Sequence, residues 1–111
     1  MPWYAAPALP PEAERAINVL GANAARLAIL GYIVENPGSL VSEIAEGTDL
    51  AIGTVKNHLA ALVALDALET DPAPSVPYAE RRGRHTRYSP RLDRLVADYR
   101  QLGRLLGVDG E

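Results

Sequence analysis

The sequence predicts a mainly α-helical chain that carries one small β-hairpin, and three observations point to it. Apolar side chains recur at spacings of three and four over most of the length, the period of helices with one buried face. Residues 68 to 88 break that rhythm with two short extended runs around a loop holding Pro72, Pro74, Pro77 and Gly83. Basic side chains crowd the C-terminal part of the chain. Residues 1 to 80 hold Arg15, Arg26 and Lys56 against ten carboxylates, whereas residues 81 to 104 hold eight arginines against Asp93 and Asp98.

Composition sets the outer limits. A chain of 111 residues suits one domain with a modest core, and 48% hydrophobic with 23% charged residues is too apolar for a disordered chain. With no cysteine there is no disulfide framework, no thiolate nucleophile and no cysteine-ligated zinc. The first twenty residues lack a basic segment followed by a continuous apolar run, and no stretch approaches a membrane span, so a cytoplasmic protein is expected. The net charge of -3 argues on its face against a polyanionic partner, but the charge is segregated along the chain and its distribution matters more.

Each element has its own local cause. Residues 1–9, MPWYAAPAL, read as an extended N-terminal arm with Trp3 and Tyr4, ahead of a domain spanning 10–106 and a tail at 107–111. Pro10 and Pro11 before Glu12 and Glu14 start a first helix reaching about Leu20, because proline fits a first turn and carboxylates suit the positive end of the dipole. Asn23 caps a second helix patterned by Leu27, Leu30, Ile33 and Val34, which Asn36, Pro37 and Gly38 end. A short helix over about Val41 to Glu46 comes next. Beyond the turn Gly47-Thr48-Asp49, a longer helix over about 52–66 buries Val55, Leu59, Leu62 and Leu65. Leu68 to Asp71 and Arg84 to Tyr88 form the two strands, with the whole hairpin region at about 68–88. Ser89 and Pro90 then start a final helix over about 90–106, with Leu92, Leu95, Tyr99, Leu102 and Leu106 on one seam and Gly107 as its stop.

A short helix, a tight turn and a second helix with a polar outer side make a helix-turn-helix, and a hairpin after it makes the winged form. With Val55, Leu59 and Leu62 inward, Gly53, Lys56, Asn57 and Ala60 share the opposite stripe. Small residues let such a helix approach a DNA groove closely, while the amide of Asn57 and the chain's single lysine ammonium can reach base edges. The segment ERRGRHTRY, residues 80–88, adds Arg81, Arg82, Arg84 and Arg87 with His85 around one glycine. Alternation puts Thr86 and Tyr88 on one side and His85 and Arg87 on the other, with Tyr88 assigned to the core. Guanidinium groups at the loop tip suit phosphate or a minor groove.

Residues about 19 to 106 resemble the winged helix-turn-helix regulators of the ArsR type. The resemblance rests on Arg26-Leu27-Ala28-Ile29-Leu30, Val41-Ser42-Glu43-Ile44-Ala45 and Thr54-Val55-Lys56-Asn57-His58-Leu59. It implies dimeric repressors or activators that insert one helix into the major groove and lay the wing along the backbone. By position it places Gly53, Thr54, Lys56, Asn57 and His58 against DNA, beside the arginines of the wing. The family pattern has a serine or threonine cap where this chain has Ala51, so Asp49 is expected to help start the reading helix. Its turn glycine is displaced to Gly47, leaving Asp49 to take the left-handed backbone that aspartate tolerates better than most residues.

Metal-sensing members carry cysteine or histidine-rich ligand sets. Here only His58 and His85 exist, one in the reading helix and one in the wing, so no metal site and no cofactor are expected. Ser39, Ser42, Ser75 and Ser89 sit beside structural signals rather than beside a base, and no glycine loop suits a phosphate, so a non-enzyme is expected. The expected function is a sequence-specific regulator of transcription that binds double-stranded DNA. Repression is favoured, by a homodimer joined through Leu92, Leu95, Tyr99, Leu102 and Leu106 on an inverted repeat. Two alternatives stay open: a winged protein-interaction module, which the net acidity favours, and an architectural DNA-binding protein of a mobile element.

Overall fold

The computed structural model describes residues 9–73, 75–81 and 85–108. Its elements are α1 (Pro11–Ala16), a single π turn (Ile17–Gly21), α2 (Ala24–Glu35), α3 (Val41–Thr48), α4 (Ile52–Ala64), β1 (Leu68–Asp71), a 3₁₀ turn (Tyr78–Arg81), β2 (Arg87–Pro90) and α5 (Leu92–Leu106). Helices α2, α3 and α4 pack on one another, β1 and β2 pair antiparallel beside them, and α5 returns to lie along α1. The fold is therefore mainly helical with a two-stranded wing. The arm's Trp3 and Tyr4 lie outside the described residues.

Ile29, Ile33, Ile44, Val55, Leu59, Leu62 and Leu68 are fully buried at the junction of α2, α3, α4 and β1, with Val19 from the π turn. Each such side chain contributes about 1.5–3 kcal/mol by leaving water. The helical period placed Leu30, Ile33, Val55, Leu59 and Leu62 inward, but two residues of the pattern read for α2 are corrected: Leu27 and Val34 are 51% and 42% exposed, because packing turns Ile29 rather than these two into the core. Tyr88 packs against the same core from β2, as its alternation required. Among the described residues, no single helix is long and apolar enough to cross a membrane.

The helix starts follow local chemistry in part. Asn23 caps α2, its side chain accepting the Arg26 N–H at 2.8 Å. In α3 the Glu43 carboxylate reaches back to the Leu40 N–H at 2.9 Å. The turn into the reading helix is set by Asp49, which closes α3 in the left-handed conformation with φ 58° and ψ 39°. Gly47 serves another purpose. A Cβ there would overlap Cε1 of the Tyr32 ring, so its missing side chain is what lets α2 and α3 approach. Asp49 gives no help at the start of α4, where Ala51 is the cap residue and no side chain bonds the first turn.

Three boundaries differ from the sequence pattern, each for a tertiary reason. The first helix gives way after Ala16 to the π turn, where the Asn18 carbonyl accepts a bond from the Arg26 side chain at 2.8 Å. The reading helix ends at Ala64 rather than near 66, because Asp66 turns left-handed with φ 64°. The second strand is shifted toward the C-terminus. Ser89 and Pro90 pair with Glu69 and Leu68 in the ladder, and the last helix starts after Arg91. Proline has no N–H to give, which an end position of a strand tolerates. Arg91 then anchors the helix start by donating its N–H to the Ala67 carbonyl at 2.9 Å.

One strand-like contact is absent from the sequence pattern. Tyr88 exchanges backbone bonds with Ser39, 2.9 Å and 3.1 Å long, and its carbonyl also accepts from Gly38 at 2.8 Å. The segment before α3 thus flanks β2 on the side opposite β1, fastening the wing to the helix-turn-helix.

Candidate nucleic-acid interface

The reading helix α4 presents Gly53, Thr54, Lys56, Asn57 and Ala60 to solvent, while Val55, Leu59 and Leu62 are buried beneath them. The wing root lies on the same side. Lys56 and Ile52 of α4, Ser42 of α3, and His85, Thr86 and Tyr88 of the wing line one cleft of about 410 Å³. An ammonium, a hydroxyl and an imidazole therefore border a single concave surface between the reading helix and the hairpin. With no side-chain cap, the first N–H groups of α4 stand next to this cleft, at the end of the helix whose dipole favours anions.

His58 occupies the flank of α4 rather than its outermost stripe. It is half-buried, and its Nδ1 accepts a hydrogen bond from Arg26 Nε at 3.2 Å. Burial first, and the Arg26 guanidinium second, hold its imidazole below the ordinary histidine range. Accepting from Arg26 requires an unprotonated Nδ1, so this contact is one of the neutral ring. Arg26 was readable as part of a motif, but its contact across 32 residues had no local signal.

Among the wing arginines, Arg87 donates from Nη1 to the Gly38 carbonyl at 2.9 Å and lines a smaller cleft with Leu40, Asp71, Pro72 and His85. It braces the wing against the turn before α3. Arg81 closes the 3₁₀ turn, while Arg82 and Arg84 lie outside the described residues. The arginines of α5 and its start face elsewhere: Arg91 Nε and Arg94 Nη1 hold the two Asp66 oxygens at 3.1 and 3.3 Å, and Arg104 reaches Gln101. Among the described arginines of the basic region, Arg87, Arg91, Arg94 and Arg104 are thus engaged within the chain.

The seam assigned to the last helix also divides. Leu95 is buried in the subunit's own core and Leu102 is half-buried, whereas Leu92, Tyr99 and Leu106 are exposed, Tyr99 at 73%. Leu95 is corrected accordingly: packing on the core takes it out of the outward seam. Val96, 44% exposed, takes its place, so Leu92, Val96, Tyr99 and Leu106 form the outward stripe around Gly103. The inward side of α5 faces α1, where Ala13 and Ala16 are buried.

Among the described residues, no three His, Asp or Glu side chains gather closely enough to hold a metal ion.

Comparisons with known proteins agree with this architecture. Residues 22–71, from just before the cap of α2 to the end of β1, match the family model described as a helix-turn-helix domain. The crystal structure of NolR from Sinorhizobium fredii superposes with a TM-score of 0.57 at 26% sequence identity, covering 92% of this chain and 98% of that one. No curated protein matches the chain. Helix order, wing, family match and a likeness along nearly the whole length of both chains lead to one assignment: the chain carries a helix-turn-helix domain within a winged helix-turn-helix fold similar to that of NolR.

Proposed function

We propose that the chain is a sequence-specific regulator of transcription that binds double-stranded DNA as a homodimer on an inverted repeat and acts as a repressor. The observation that carries this reading is the shared cleft, in which Lys56 of the reading helix and His85 of the wing border one surface. A helix entering the major groove beside a hairpin on the backbone needs that common orientation. In this reading Gly53, Lys56 and Asn57 face the groove with Thr54 and His58 on its flank, and Arg81, Arg82, Arg84 and Arg87 are the proposed phosphate contacts of the wing. Asn57 is suited to a bidentate bond with adenine, and Lys56 to guanine or phosphate. The outward stripe of Leu92, Val96, Tyr99 and Leu106 supports dimerisation, because four large apolar side chains in one line on a helix call for a partner. Two reading helices about 34 Å apart then require two half-sites one helical turn apart.

Titration of labelled random duplex at low and moderate salt, followed by selection of bound genomic fragments, tests the proposal. Steeply salt-dependent binding and enrichment of one inverted repeat support it. Binding without any enriched motif points to an architectural protein, and no salt-dependent binding points to an interaction module. A reporter gene behind the selected repeat that rises when the chain is removed supports repression, and one that falls shows activation.

A further inference from the structure

We propose that Arg26 is a positioning residue for the reading helix: it holds the His58 ring so that Nε2–H, on the flank of α4, donates a neutral hydrogen bond to a DNA phosphate. The proposal rests on the DNA-binding reading and assigns Arg26 a part in that interface.

Arg26 sits in the first turn of α2, where a cation opposes the helix dipole. Its location needs another cause, and its bonds provide one. The backbone N–H is held by the Asn23 side chain at 2.8 Å, Nη1 by the Asn18 carbonyl of the π turn at 2.8 Å, and Nε is directed at His58 Nδ1 at 3.2 Å. One side chain thus joins the π turn, the start of α2 and the middle of α4. Because arginine can only donate, Nδ1 of His58 must be the acceptor, and the ring's proton is confined to Nε2.

The flank of α4 gives that proton a direction. Thr54, His58 and Ala61 follow at i, i+4 and i+7, between the buried row of Val55, Leu59 and Leu62 and the exposed row of Gly53, Asn57 and Ala60. A helix lying in the major groove has its base-reading row at the floor and its flanks at the phosphate walls. Thr54 and His58 would therefore form a pair of neutral donors along one wall, opposite the wing. Neutrality has a consequence: a neutral donor contributes a hydrogen bond to phosphate without adding to the count of released counterions, so its removal lowers affinity at every salt concentration by a similar factor. Among the described residues, the charged group acting on His58 is Arg26 of α2.

The test combines spectroscopy on the free protein with duplex binding. Two-bond ¹H–¹⁵N spectra of wild type should show His58 as the Nε2–H tautomer, and Arg26→Lys, which keeps the charge and loses Nε, should show a tautomer mixture. Glutamine places an amide nitrogen near Nε2 and asparagine near Nδ1. His58→Gln should therefore keep duplex affinity within about threefold, whereas His58→Asn should lose about tenfold with the slope of log K against log salt unchanged. Arg26→Lys should lose affinity like His58→Asn while its circular dichroism stays that of wild type. Salt-dependent binding by wild type together with equal affinity in His58→Asn and His58→Gln overturns the positioning role and leaves the DNA-binding reading intact. An Nδ1–H tautomer in the wild-type spectrum overturns it as well. Absence of any salt-dependent binding by wild type overturns both.

Discussion

Arg15 of α1 and Asp98 of α5 form an ion pair with Nη2 and Oδ2 3.3 Å apart, their side chains only 20% and 7% exposed. The same guanidinium donates to the Leu65 carbonyl at the end of the reading helix, so one residue links α1, α4 and α5. Desolvation by burial raises the Asp98 carboxyl above the ordinary range, and Arg15 and then Arg94 offset it only in part. A buried pair of this kind is costly to halve. Arg15→Met should destabilise the fold by about 3–5 kcal/mol, because the carboxylate loses its partner, whereas Asp98→Asn should cost less, because the amide oxygen still accepts and the more exposed Arg15 keeps its bond to the Leu65 carbonyl. Urea denaturation of the two variants at neutral pH checks the order.

The same shift fixes a pH dependence. With the folded-state value raised, the native chain holds its proton over a window in which the unfolded chain has already lost it. The stabilisation from this group is therefore complete below the unfolded carboxyl's titration and is lost as pH rises through the folded one. Asp98→Asn should remove that segment from a plot of stability against pH, leaving the rest of the curve in place.

Gly47 and Tyr32 make a second test. Within a helix, glycine to alanine ordinarily stabilises by about 1 kcal/mol. Here the added carbon would run into the Tyr32 ring, so Gly47→Ala should instead destabilise by about 1–3 kcal/mol. Pairing it with Tyr32→Ala should leave less than the sum of the two losses, read from thermal melts of the double-mutant cycle.

Asp49 and Asp66 share a left-handed backbone with different surroundings. Asp49→Gly should stabilise by up to about 1 kcal/mol by relieving an unfavourable conformation. Asp66→Gly gains the same relief but loses the contacts with Arg91 and Arg94, which sit near the surface and contribute little each, so its net change should be smaller. Denaturant midpoints decide between them.

The two sides of α5 separate stability from the proposed dimerisation. Leu95→Ala should lower stability by about 2–4 kcal/mol, because the side chain fills the subunit's core. Tyr99→Asp, at a 73% exposed position, should leave subunit packing unchanged and shift a dimer toward monomer in sedimentation equilibrium. A monodisperse dimer in Tyr99→Asp would exclude the outward stripe as the interface.

Much of the fold was legible because its causes are local. The period of three and four residues set which sides of α3 and α4 are buried, and in α2 it found Leu30 and Ile33 but not Ile29; Asn23, Asp49 and Gly107 marked ends or turns by their own chemistry. The exposed row of Gly53, Lys56 and Asn57 was likewise readable, since it is the complement of Val55, Leu59 and Leu62. Ser89 and Pro90 misled because a helix-start signal is weak against a ladder: pairing with Glu69 and Leu68 gave those residues partners that the isolated segment lacks.

What the sequence by itself determined, then, was an order of helices, the buried sides of α3 and α4 and a hairpin rich in arginine, all consequences of spacing and residue type. Tertiary structure alone decided that Val96 rather than Leu95 joins the outward row of α5, that Ser39 flanks Tyr88, and that Arg26 reaches His58. The physical reason is range. A cap or a period acts within a turn or two of the chain, whereas the bonds that settle these choices join residues 32 to 49 positions apart and exist only after the core has closed.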